Sequence, residues 1–372
     1  MKIAFVVHDY RLADVGQTRY VRELAHRFSR EHEVHVFANR IEVGEDHNIH
    51  FHHVRAWRMN ALTTMLSFAV TSTITIGRDF DIIHSQGFCG FYGNVITAHI
   101  CNRAWHLALR KLEGGVTIRE LIFNYFASAL ELATYRRAGI QVIAVSSRVA
   151  RDLKKYYRCH APTHIVHHGV NLDVFSLNCR AALRARTRHE LSLADKDFAF
   201  AFVGNLRKGA RRCILALSRL ERGILLCVSR TDSKQYRVLA ERLGLADRVR
   251  FVPFSTHVES VYAAADALLL PSPYDAFGMV VTEAMASGLP VVVSREAGAS
   301  EVVQHGVDGI LLNDVTCDAE LANAMLSLSD NQEWAQQLGF AARAATQKLS
   351  WDNVAAITMQ VYQQISCDTD SI

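Results

Sequence analysis

Short apolar runs alternate with stretches of helical spacing along nearly the whole 372-residue chain. Residues 3–7 read as a buried strand, 17–29 as a helix with Tyr20, Val21, Leu24 and Phe28 on one stripe, and 34–37 as a second strand. Further strands are expected from residue 81 and over 95–99 and 142–145. A long helix at 118–137 sets Leu121, Ile122, Tyr125, Ala129 and Leu132 on one face. The alternation restarts at 198–203, with strands at 225–228, 249–252, 267–270, 291–293 and 310–312. Helices are expected between them at 214–220, 236–243 and 277–287, then at 321–328, 334–338 and 355–365. Strand, helix and strand in close succession is the unit of a parallel sheet, so the class is α/β with two such sheets.

The length suffices for two domains, each with its own core. The boundary falls in a linker over 166–195, whose Arg-rich part, 180–188, reads as a surface helix. Charge separates the halves: residues 1–170 hold 21 Lys plus Arg against 14 Asp plus Glu, net +7, whereas the remainder has 20 against 23, net −3. A basic half suits an anionic acceptor or an anionic membrane surface. Nucleic acid is not expected as a partner, because no basic run interleaved with aromatics appears.

The eight cysteines are dispersed without a C-x-x-C pair and read as reduced thiols of a cytoplasmic protein. The uncharged stretch 59–77 has the length of a membrane span, but five threonines and two serines follow Leu62. It reads as a buried or interfacial helix. His47, His50, His52 and His53 crowd one segment, but no carboxylate or cysteine frame is evident beside them, and alternate residues of a strand point to opposite faces. No metal is therefore expected.

Candidate chemistry gathers at predicted strand ends, where α/β sheets place ligands. After the strand at 267–270 come Asp275 and a helix start at which the amides of Phe277, Gly278, Met279 and Val280 are available to an anion. Glu283 shares a helical stripe with Val280, Ala284 and Ser287. It is either a solvated surface carboxylate or one held by hydroxyl donors such as those of a ribose. Arg207, Lys208 and Gly209 follow the strand at 198–203, a cationic strand-to-helix turn suited to phosphate. Gly16 opens the first helix, where a dinucleotide site would need G-x-G-x-x-G, so a nicotinamide or flavin enzyme is disfavoured. Arg19 reads equally as a phosphate ligand or an exposed helix residue. His99 closes the strand at 95–99, with a structural and a chemical reading both open.

Asp275-Ala-Phe-Gly, Glu283-Ala-Met-Ala, Ser287-Gly-Leu-Pro-Val and Gly298-Ala-Ser-Glu-Val, followed by Gly306-Val-Asp-Gly309, resemble the signature block of retaining GT-B glycosyltransferases of glycosyltransferase family 4. Asp275 stands where that family has Glu, and Asn205 where it often has Arg. Residues 99–103 through 167–170 are also similar to bacterial lipopolysaccharide core glucosyltransferases.

The resemblance implies a GT-B fold of two Rossmann-like doubly wound domains facing a central cleft. The domains would be 1–168, with a helix at 353–372 crossing back onto it, and 169–352. It implies transfer of a hexose from a nucleotide-diphosphate sugar, UDP-linked by preference with GDP-mannose as the other option, to a glycan, glycolipid or other cell-envelope acceptor. No separate cofactor is implied. His99 would bond the transferred sugar, Asp275 its hydroxyls and Glu283 the ribose. Arg207, Lys208, Gly16 and the amides from Phe277 to Val280 would hold the diphosphate, and backbone near Pro253 and Phe254 would read the base. No Asp-x-Asp placed to hold a metal is identified, consistent with a metal-independent reaction. A non-transferring nucleotide-sugar epimerase and a degenerate sugar-binding protein are the alternatives.

Overall fold

The structure is a computed structural model describing residues 1–11, 16–44, 48–109, 116–254 and 257–369, with side chains described to residue 365. It forms two compact units. One gathers the described residues up to Gly169 and those from Trp351 onward, and the other holds Val170–Ser350.

In the N-terminal unit the strands are β1 (Lys2–Val6), β2 (Asp9–Tyr10), β3 (Glu33–Ala38), β4 (Arg40–Ile41), β5 (Ile49–His53), β6 (Ile82–Gln86), β7 (Val95–Ala98), β8 (Gln141–Ala144) and β9 (Thr163–Ile165). Its helices are α1 (Gln17–Phe28), α2 (Ala61–Thr75), α3 (Asn102–Leu109), α4 (Ile118–Tyr135) and α5 (Ser147–Tyr157). The main sheet runs β5-β3-β1-β6-β7-β8-β9, every pair parallel, and β2 pairs separately with β4. Order reverses between β1 and β6, the switch point at which such sheets open a crevice. α1 buries Tyr20, Val21, Leu24 and Phe28, the stripe read from the sequence.

The C-terminal unit contains α6 (Leu177–Glu190), β10 (Ala199–Val203), α7 (Ala210–Leu217), β11 (Ile224–Ser229), α8 (Lys234–Arg242), β12 (Val249–Pro253), α9 (Val258–Ala264) and β13 (Ala267–Leu270). It continues with α10 (Met279–Ala286), β14 (Val291–Ser294), β15 (Gly309–Leu312), α11 (Asp318–Asp330) and α12 (Gln332–Ala345). All six strands are parallel in the order β12-β11-β10-β13-β14-β15, with the switch point between β10 and β13. Its core joins Phe200, Phe202, Leu225, Leu269 and Val292 of the sheet to Ile214, Leu217, Met325 and Leu338 of the helices. The last helix, α13 (Trp351–Thr369), belongs to the N-terminal unit. There Tyr362 packs its ring on Phe28 and bonds His84 Nδ1 at 2.6 Å.

Three expectations need correction. The helix expected at 277–287 starts at Met279, because Gly278 takes φ 95° and breaks the helical path. The Arg-rich helix is not a solvated surface element: Arg188 is 4% exposed and donates to the carbonyls of Ala264, Ala194 and Asp197, while Arg184 pairs with Asp266 at 2.6 Å. These guanidiniums, with Arg180 donating to Ala265 O, satisfy the carbonyls exposed at the C-terminus of α9.

The third concerns α4, whose apolar stripe faces outward. Ile118, Ile122 and Tyr125 are exposed, whereas Asn124, Glu131 and Thr134 are buried. The inversion has a polar cause. Glu131 accepts hydrogen bonds from the Asn102 amide (2.8 Å), Asn102 Nδ2 (2.7 Å) and the Tyr157 hydroxyl (2.6 Å), tying α4 to α3 and α5. Burial pushes its carboxyl up to about 7.

Candidate functional site

In the C-terminal unit the candidate site sits at the switch point. β10 ends at Val203, and Asn205 accepts a hydrogen bond from the Arg207 amide, tightening the turn Leu206–Lys208. Gly209 then adopts φ 131° against Pro271 at the end of β13; a Cβ there would lie 2.9 Å from the Pro271 carbonyl oxygen. No larger residue fits this approach, and the close contact draws the loops after β10 and β13 together. Lys208 Nζ thereby reaches Asp275 Oδ2 at 2.8 Å, with the two side chains 28% and 13% exposed.

Gly298 N donates to the Asp275 carbonyl and Ala299 N to that of Phe277, pinning the loop to the turn after β14. Behind this pair α10 begins. Among the described residues its first turn has neither a side-chain cap nor an acidic residue, so its N-terminal amides and dipole are available to an anion. Phe277 buries its ring while Gly278, Met279 and Val280 are half-buried.

Glu283 is 6% exposed, which overturns the reading of a solvated surface carboxylate. α10 is apolar nearly all round and buried from Val281 onward, so its one carboxylate needs hydrogen-bond donors. The Tyr262 hydroxyl of α9 donates to Glu283 Oε2 at 3.1 Å. Tyr262 was not read as a site residue, since it is one aromatic on an ordinary helix. Nor was Arg230 after β11, whose guanidinium stacks 4.0 Å from the ring centre of Phe254 after β12, a residue expected to contribute through its backbone alone. No spacing in the sequence couples these two. Arg207 is half-buried in the same β10 turn.

Gly16 and His99 lie in the N-terminal unit. Gly16 takes φ 73° at the start of α1, and the Thr18 hydroxyl of that helix bonds the Asp9 carbonyl. His99 Nε2 donates to Gln86 Oε1 at 2.8 Å, and its Nδ1 faces His168 Nε2 at 3.3 Å. The Tyr20 ring stands edge-on to it, 5.1 Å between centres. Burial above all, then the neighbouring His168 and His84, hold its pKa well below the ordinary imidazole value, so near pH 7 it is a neutral hydrogen-bonding group. Arg19 is half-buried on α1.

Asp-x-Asp spacing does occur, at Asp79-Phe80-Asp81, Asp195-Lys196-Asp197 and Asp368-Thr369-Asp370. The first precedes β6, at the end opposite the ligand edge, where Asp81 accepts from the Lys2 amide at 2.7 Å. The second precedes β10, likewise at the end opposite the ligand edge, where Asp197 accepts from the Ala194 amide at 2.8 Å, and the third lies beyond the described side chains. No disulfide joins the described cysteines, and no described helix is long and apolar enough to cross a membrane.

Two Rossmann-like domains with parallel sheets, one presenting a cation and an uncapped helix start at its switch point, define a GT-B architecture. Residues 15–174 match Glycosyltransferase Family 4 and residues 184–345 match Glycosyl transferases group 1, two matches that together take in most of the chain. An uncharacterized glycosyltransferase of Methanocaldococcus jannaschii is 28% identical over 387 aligned positions, 98% of each chain. A D-inositol 3-phosphate glycosyltransferase of Xylanimonas cellulosilytica is 32% identical over 242 positions, but these span 61% of this chain and 57% of that one.

Among solved structures, sucrose-phosphate synthase from Thermosynechococcus elongatus superposes with a TM-score of 0.80 at 23% identity over 99% of both chains. WaaG, a glycosyltransferase involved in lipopolysaccharide biosynthesis, gives 0.79 at 20% over 95% of this chain and 99% of its own. Anabaena HepE in complex with UDP-glucose gives 0.72 at 20% over the whole of both.

Proposed function

We propose that the protein is a retaining, metal-independent glycosyltransferase that moves a hexose from a nucleotide-diphosphate sugar to a glycan, glycolipid or other cell-envelope acceptor. The observation that carries this reading is the Lys208–Asp275 pair beside the uncapped start of α10. In transfer, the bond from the anomeric carbon to the diphosphate oxygen breaks and a bond to the acceptor oxygen forms on the same face. The acceptor proton leaves with the departing diphosphate. Charge accumulates on that diphosphate, and preorganised donors aimed at it lower the barrier. Lys208, Arg207, the amides of Phe277, Gly278, Met279 and Val280, and the Gly16 amide supply those donors in this reading. Asp275, once Lys208 turns to phosphate, accepts from the sugar hydroxyls, and Glu283 takes the ribose hydroxyls. His99, neutral, bonds a sugar hydroxyl through a ring nitrogen rather than transferring a proton.

A UDP-sugar is favoured over GDP-mannose, in keeping with the UDP-glucose held by the HepE neighbour. An acceptor like that of WaaG would suit the +7 balance of residues 1–170. Peripheral contact with an anionic membrane is part of the proposal, supported by that charge and by the outward Ile118, Ile122 and Tyr125 of α4.

The test is thermal-shift screening of UDP-glucose, UDP-N-acetylglucosamine, UDP-galactose and GDP-mannose. Assay of nucleoside-diphosphate release and anomeric NMR of the product follow. Binding of one donor and a product of retained configuration are expected. An isomerised sugar released without acceptor would instead favour an epimerase, and binding without any turnover or hydrolysis would favour a sugar-binding protein.

A further inference from the structure

The edge of the N-terminal sheet carries a second cluster, away from its ligand end. β5 is the edge strand and β3 its parallel neighbour, with His35 in register with His50 and Phe37 with His52. Residues two apart on a strand share a face, so Glu33 and His35 of β3 stand on the same side as His50 and His52 of β5, while His53 points the other way. His47 lies outside the described residues. The carboxylate that the histidine run lacks in sequence is supplied here by the neighbouring strand.

Glu33 Oε1 is 2.8 Å from His35 Nε2, and the His35 and His50 rings are 4.7 Å apart between centres. One ligand atom each from Glu33, His35 and His50 falls within 4.8 Å of the others. On the far side of the His35 ring, Nδ1 lies 2.8 Å from His52 Nε2, and the His52 ring stacks on Phe37 with centres 4.4 Å apart.

We propose that Glu33, His35 and His50 bind a divalent transition-metal ion of the zinc type, with His52 as a positioning residue. Two imidazoles and a carboxylate are a donor set suited to zinc, which holds such atoms at about 2.0–2.2 Å and therefore about 3–3.5 Å from one another. His35 is 9% exposed and anchored, whereas Glu33 and His50 are exposed and free to swing the short distance inward. The cation replaces the proton now shared between His35 Nε2 and Glu33. His35 then donates its Nδ1–H to His52 Nε2, the arrangement by which a ligating imidazole is oriented and made more basic. A fourth coordination position opens to solvent. The bound ion would clip the edge strand to β3.

One group opposes binding. Lys2 Nζ stands 3.5 Å from Glu33 Oε1 and is the cation the metal must displace. Its removal should tighten the site, an effect that nonspecific histidine binding would not show.

The experiment is isothermal titration of the untagged full chain with zinc chloride near neutral pH, alongside visible spectroscopy with cobalt(II). A single tight equivalent, ligand-field bands and a raised thermal midpoint are expected. Glu33→Gln and His50→Ala, both at exposed positions, should each weaken zinc binding more than about tenfold, and His52→Ala about tenfold, with His52→Gln restoring part by keeping an acceptor. Lys2→Ala should strengthen binding severalfold, and Cys317→Ser, which removes an exposed thiol, should leave it unchanged. The proposal is overturned if the wild-type chain takes up no zinc at micromolar concentration, or if the Glu33→Gln/His50→Ala double variant keeps wild-type stoichiometry and affinity.

Discussion

Replacing Lys208 by Met removes one cation and leaves the chain's volume nearly unchanged, which makes it the most informative perturbation of the candidate site. The ammonium lies 2.8 Å from Asp275 Oδ2, with the side chains 28% and 13% exposed. At an effective dielectric of about 20 the direct attraction at that distance is about 6 kcal/mol. Desolvation and screening of this partly buried pair reduce the net worth to about 1–2 kcal/mol. That loss should appear in urea denaturation as the cost of a carboxylate left without its ammonium.

Catalysis should suffer more. An oriented donor acting on developing charge contributes about 3–4 kcal/mol, so kcat with the best donor from the screen should fall about 100- to 1,000-fold. Asp275→Asn in the same chain separates the two effects: the double variant should regain the stability but not the turnover. Recovery of turnover in the double variant would mean that Lys208 serves only to neutralise Asp275. Wild-type kcat in Lys208→Met would remove the diphosphate clamp altogether.

Glu283→Ala should weaken UDP binding by about 1.5–3 kcal/mol, the worth of hydrogen bonds to a charged acceptor, while leaving thermal unfolding cooperative; unchanged affinity by calorimetry would end the ribose assignment. Gly209→Ala places a methyl 2.9 Å from the Pro271 carbonyl oxygen at a φ of 131°, so about 1–3 kcal/mol of stability and much of the donor affinity should be lost together, read by urea denaturation and thermal shift. Arg188→Ala strips the α9 carbonyl ends and Asp266 of a buried guanidinium and should cost about 3–5 kcal/mol by chemical denaturation. Glu131 carries a pH dependence of defined sign. Its folded carboxyl titrates at about 7 against an ordinary 4.5, so between these values the folded state holds a proton that the unfolded state has released. Stability should therefore fall by about 3 kcal/mol as pH rises through that window, and Glu131→Gln should flatten the slope; a Glu131-dependent rise would contradict the burial argument.

The parallel sheets were legible because their strands are buried on both faces and appear as unbroken apolar runs. Leu268, Leu269 and Leu270 fall in β13, and Val291, Val292 and Val293 in β14. The strand-to-helix turn at Gly209 was legible too, since a glycine follows the cationic pair there, whereas Gly278, expected inside the helix at 277–287, takes positive φ ahead of it. What the pattern cannot carry is contact between segments distant in sequence. Lys208 and Asp275 each stood out alone, but their pairing depends on Gly209 settling against Pro271, and Tyr262 gains its meaning only from the carboxylate it reaches on α10.

Periodicity also names a stripe without saying which side of a helix the core will take. In α4 the rule that apolar residues go inside gave way to a buried carboxylate with three donors, because hydrogen bonds that satisfy Glu131 can form only if Asn102 and Tyr157 close over it. In α6 the long arginines at 180, 184 and 188 have helical spacing but serve as the missing donors for another helix's carbonyls. Both departures follow one physical rule: a buried polar group left unsatisfied costs more than an apolar side chain left in water, so the polar partner decides the orientation. The histidines of β5 obey it too, since His52 turns inward to His35 rather than out from the sheet edge.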